Sequence, residues 1–181
     1  MVPASTSAWA PAWPAPARAH KSDPPAVLYW QTAPLEANLD VAGEIELQLS
    51  ATSTATDTAW IVMLRDIAPD GTITDITGGW LRASLREIDH AASRTGAPAL
   101  PCRNPEAVPI GEPVSYRIPL VPAARRFAAG HRVQLMITSD DQPKDIPVFL
   151  GYRHPPVGTT ARNTIHATSR LLLPVLPPAA K

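Results

Sequence analysis

Apolar and polar residues alternate with period two along several stretches of this chain. Between residues 44 and 50, Ile45, Leu47 and Leu49 fall on one side, and Glu44, Glu46 and Gln48 on the other. Strict alternation marks an antiparallel sheet with one dry and one wet face. It predicts that all three polar residues stand in water. Residues 114–120 (VSYRIPL) repeat the pattern, with Val114, Tyr116, Ile118 and Leu120 inward and Pro119 suggesting an edge or a bulge. Residues 132–138 (RVQLMIT) do so again, with Val133, Leu135 and Ile137 buried.

The stretch DTAWIVMLRDIAPDGTITDITGGWLRASLRE, residues 57–87, reads as a meander. Residues 60–67 are rich in β-branched and aromatic side chains and predict a strand. Ala68, Pro69, Asp70 and Gly71 form a turn: Pro69 presets φ and Gly71 accepts a left-handed conformation. Residues 73–76 pair back, Gly78 and Gly79 break the strand, and residues 80–87 begin another. A first strand is expected at 26–30 (AVLYW), ended by Pro34. A turn centred on Gly130 is expected before residue 132, and further strands at 148–152 and 169–176. The sum is about nine short strands separated by turn signals, the pattern of an all-β antiparallel sandwich or jelly roll.

Composition supports this class. The chain has 22 prolines in 181 residues, against a usual share of about 5%. Each proline inside a helix removes a hydrogen bond and clashes with the preceding turn. Residues 1–25 are Ala/Pro-rich and read as a linker or leader with Trp9 and Trp13 set in it. Residues 26–177 form the domain, and 178–181 a tail. Residues 90–111, with prolines at 98, 101, 105 and 109, form an irregular connection of a length often tied to function. The 16 basic and 16 acidic residues cancel, so no charge field favours nucleic acid. No run reaches the roughly 18 apolar residues of a membrane span, and no secretory signal is evident. Cys102 is the single cysteine, which excludes an internal disulfide. The chain reads as a soluble, cytoplasmic protein.

Candidate chemistry is sparse. No Gly-x-Ser-x-Gly elbow is present, the turn that lifts the nucleophile in α/β-hydrolases. Ser84, Ser115, Ser139, His131, His154, Asp140 and Asp141 supply the residue types of a triad, but their spacing does not separate them from surface polar residues. His20, His90, His131, His154 and His166 show no metal-ligand spacing. Asp140 and Asp141 read as a solvated turn rather than a Ca²⁺ loop, and Asp57 and Asp70 as turn residues. His131, at the start of a strand, is read as a ring satisfying backbone or a neighbouring carboxylate. No phosphate loop or dinucleotide fingerprint occurs. The sequence assigns no catalytic, cofactor-binding or metal-ligating residue.

Three segments in order carry a resemblance: LYWQTAPLEANLDVAGEIELQLSATSTATDTAWIVMLRDIAPDGTITDITGGWLRAS, FAAGHRVQLMITSDDQP and ARNTIHATSRLLLPVLP. Together they resemble the C-terminal domain of the Xaa-Pro dipeptidyl-peptidase and cocaine esterase group, over residues 26–177. Relatives tend to have serines where this chain has Asp140 and Asp141. The resemblance implies a jelly roll of galactose-binding-like topology. It also implies an α/β-hydrolase domain as partner, encoded in the same parent protein or separately. That domain would carry the triad, so no catalytic residue transfers to this chain. The implied role is non-catalytic: packing on the hydrolase domain and shaping its active-site entrance, with the leader as the connecting linker. A homo-oligomer is a further possibility. A carbohydrate-binding module is the alternative, with Trp60, Trp80 or the 90–111 connection as its surface.

Overall fold

A computed structural model describes residues 27–139 and 161–177. Eight strands run in chain order: β1 (Val27–Gln31), β2 (Leu39–Ser53), β3 (Ala59–Ile67), β4 (Ile73–Arg82), β5 (Val114–Phe127), β6 (Arg132–Thr138), β7 (Asn163–Ile165) and β8 (Arg170–Leu172). The described residues contain no α-helix, only a 3-10 turn at Ala83–Leu85. The expected strand at 148–152, the Trp9 and Trp13 leader and the tail lie outside the described residues.

All strand pairs are antiparallel, in the order β1-β6-β3-β4-β5-β2-β7, with β8 also on β2. β4 meets β5 at one residue pair, Gly79 and Leu120. The sheet curls there into two halves, β1-β6-β3-β4 and β5-β2-β7/β8, which share one core. Trp60 of β3 and Tyr116 of β5 join them, with ring centroids 5.5 Å apart at 58°.

The inward sets Ile45/Leu47/Leu49, Tyr116/Ile118/Leu120 and Val133/Leu135/Ile137 are buried as the alternation predicts. The β3–β4 turn also follows its sequence. Gly71 donates to the Ala68 carbonyl at 2.9 Å with φ +86°, and the Asp70 carboxylate accepts from Thr72 N–H. Gly130 has φ +83° in the turn before β6.

Four expectations are corrected. Gly78 and Gly79 do not break a strand: β4 runs through them, and Trp80 to Arg82 complete it. Gly79 is required by close approach, since a Cβ there would lie 2.2 Å from the Pro119 carbonyl oxygen. The strands are not uniformly short. β2 has 15 residues and β5 has 14, and β5 continues through Pro119 and Pro122. β5 is not an edge. Its bulge falls where Val121 and Pro122 oppose the single residue Glu44, just past Pro119. Finally, Glu46 is not in water but wholly buried. The 86–113 connection folds back over this side of the sheet and places Gly96 N–H on its carboxylate at 2.9 Å.

Candidate docking face and polar groove

Two carboxylates organise opposite ends of β3. At its start, Asp57 accepts from Thr58 N–H, Ser84 N–H, Ser84 Oγ and Arg82 Nε, at 2.6–3.0 Å. Burial raises the Asp57 pKa, but the Arg82 and Ser84 hydrogen bonds outweigh it, and the net shift is downward. Around this hub lies an open groove of about 440 Å³, lined by Thr56, Asp57, Arg82, Ser84, Leu85, Pro105 and Ala107. Arg86 fixes the groove's far wall through the carbonyls of Ala83, Glu106 and Ala107. Asp57 is thus more than a turn residue, and sequence reading missed its role. Its partners lie 25 and 27 residues downstream, on and just after β4.

At the other end of β3, buried Asp66 holds His131 Nδ1 and Arg125, both at 2.8 Å. His131 is therefore the ring on a neighbouring carboxylate that its place at the tight turn suggested. The acid–serine pair and the acid–histidine pair do not combine. The strand from Ala59 to Asp66 alone separates them by seven residues, about 23 Å at 3.3 Å per residue. A triad needs hydrogen-bond reach between all its members.

The other candidates are dispersed. Ser115 is exposed on β5, and Ser139 follows β6. His166 bonds Thr52 at 2.7 Å, and His90 is exposed in the long connection. Cys102 is exposed with φ +52°. His20, His154, Asp140 and Asp141 lie outside the described residues. No group of three or more His, Cys, Asp or Glu side chains able to hold a metal converges among the described residues. Nor is any described helix long and apolar enough to cross a membrane.

Trp60 is 2% exposed and cannot serve as a ligand platform, whereas Trp80 is 41% exposed. Trp80 projects from the outer face of β4 because Gly79 and Leu81, its neighbours, face inward. Arg82 shares that outer face and lines the groove. Across the seam, Pro119 and Val121 take the outer side of β5, opposite in parity to buried Ile118 and Leu120.

The fold defines an antiparallel β-sandwich domain. The chain is a member of the X-Pro dipeptidyl-peptidase C-terminal non-catalytic domain family, whose match spans residues 2–170. It is 31% identical over 156 residues to the "Putative serine esterase Mb1866c" of Mycobacterium bovis, covering 84% of this chain and 24% of that protein. It is 27% identical over 118 residues to the cocaine esterase of a Rhodococcus species, covering 65% of this chain and 18% of the esterase. In fold it is similar to a CocE/NonD family hydrolase from Staphylococcus aureus, with TM-score 0.72 and 17% identity over 84% of this chain and 31% of that one. An alpha-amino acid ester hydrolase gives TM-score 0.65 at 22% identity, over 83% of this chain and 25% of that one. The chain thus spans about a quarter of the length of the mycobacterial relative.

Proposed function

We propose that this chain is the accessory β-sandwich of a serine hydrolase of dipeptidyl-peptidase or esterase type. It packs on an α/β-hydrolase domain and shapes the entrance to that domain's active site. The observation that carries this reading is the match to the X-Pro dipeptidyl-peptidase C-terminal non-catalytic domain family over residues 2–170, in a chain that spans about a quarter of its mycobacterial relative. The galactose-binding-like topology, the Ala/Pro leader as linker and a cytoplasmic setting belong to the same proposal.

The test is a fluorophosphonate probe read by intact mass, with an Xaa-Pro chromogenic substrate in parallel. The expected result is no adduct and no turnover. A stoichiometric adduct with turnover would overturn the reading. A second reading, carbohydrate binding, is favoured by one observation: Trp80 stands exposed on the face that Arg82 continues into the groove. Glycan-array binding that Trp80→Ala abolishes would establish it.

A further inference from the structure

Large apolar side chains exposed among the described residues are Tyr29, Ile73, Trp80, Ile110, Val121 and Leu176. Two outer faces of the sandwich are already closed. Over β2 and β5, the 86–113 connection is pinned by Gly96 on Glu46 and by Arg117 on the Arg94 carbonyl. On β3 and β6, the outward Met63 and Met136 are 2% and 0% exposed.

The β4–β5 seam differs. β4 and β5 touch at the Gly79–Leu120 pair; Trp80, next to Gly79, and Pro119 and Val121, on either side of Leu120, take the outer parity of their strands beside that contact. Trp80 and Val121 are 41% and 42% exposed. Two residues beyond Trp80, Arg82 carries this outer side of β4 to the rim of the concave groove, its side chain 56% exposed. Tryptophan and arginine beside a concavity are the residue types that dominate binding at interfaces.

We propose that this seam and groove are where the catalytic portion of the parent hydrolase seats, with Trp80 as the central anchor and Arg82 at the rim. The proposal rests on the functional reading above. The occupant follows from chain length. This domain covers 24% of the mycobacterial protein and 31% of the staphylococcal chain, so in each the remainder is tethered to it. A short tether raises effective concentration enough for a modest apolar strip to stay occupied. The partner surface required is an apolar depression with a hydrogen-bond acceptor at its edge for Arg82.

Hydroxyl-radical footprinting tests this by reading all six side chains at once. The isolated chain is compared with a fusion in which it replaces the matching segment of the mycobacterial relative. Trp80 oxidation should fall about fivefold or more in the fusion, as in the desolvated core of an interface, while Leu176 and Ile110 stay unchanged. Protection confined to Ile110 or Leu176 would overturn the assigned face and leave the packing reading standing. No protection at any of the six would overturn both. Trp80 protection that grows with concentration of the isolated chain would assign the face to a second copy, against the proposal. If the fusion does not fold, the separately expressed catalytic part is added in trans. Binding must then be lost in the W80E/V121E double variant and kept in Leu176→Glu. Equal binding by both overturns the face, and no binding by the unaltered chain overturns the packing.

Discussion

Arg117→Met tests how the long 86–113 connection is held. Arg117 Nε and a terminal nitrogen meet the Glu46 carboxylate at 2.6 and 2.8 Å, and the same side chain donates to the Arg94 carbonyl at 2.9 Å. The hydrogen bond to Glu46 holds the Arg117 pKa above its ordinary value. Glu46 is 0% exposed and Arg117 27%. Removing one partner of a buried pair costs about 3–5 kcal/mol, because a charge is left behind without its counter-ion. Arg117 retains some water, so the lower end applies, about 3 kcal/mol. For a domain of this size that lowers Tm by about 6–12 °C. The sign of Glu46→Gln then depends on its background. With Arg117 present it weakens a charge-assisted pair and destabilises. With Met at 117 it removes the stranded charge while leaving an amide oxygen for Gly96 N–H, and stabilises. Urea unfolding of the four proteins gives the cycle. A loss below about 1 kcal/mol for Arg117→Met, or no change of sign for Glu46→Gln, would refute the reasoning.

Three further outcomes are expected. Gly79→Ala should destabilise by about 1–3 kcal/mol or more in thermal unfolding, because its Cβ would meet main chain at 2.2 Å; Gly71→Ala, in open space but at φ +86°, should cost only about 1–2 kcal/mol. Asp57 and Asp70 carboxyls lie below their ordinary range, Asp57 against burial through Arg82 and Ser84, Asp70 through Thr72 N–H. Lowered carboxylate values contribute stability above the unfolded pKa of about 4 that is lost as pH falls through the folded one; urea midpoints should drop below pH 4, and less steeply in Asp57→Asn. Tyr116 Oη is buried, its contact with the Trp60 side chain falls short of a well-aligned hydrogen bond, and burial pushes its pKa up, so Tyr116→Phe should cost less by urea unfolding than the loss of about 1 kcal/mol that goes with a well-made hydroxyl hydrogen bond.

The parity of Ile45, Leu47 and Leu49 was legible in the sequence because alternation is local: neighbouring strand residues point to opposite faces whatever lies beyond them. The Asp70–Gly71 turn was legible for the same reason, since its hydrogen bonds close within four residues. The missing nucleophile elbow and the segments shared with the hydrolase family were equally open to reading. What the tertiary structure decided was set by distant partners. Glu46 looks wet in its own strand and becomes buried because Gly96, fifty residues on, closes over it. Gly79 looks like a strand breaker and proves to be the contact point for Pro119. Asp57 acquires its meaning only when β4 returns Arg82 and Ser84 to it. Local rules determine which way a side chain points; only the folded chain determines what stands in front of it.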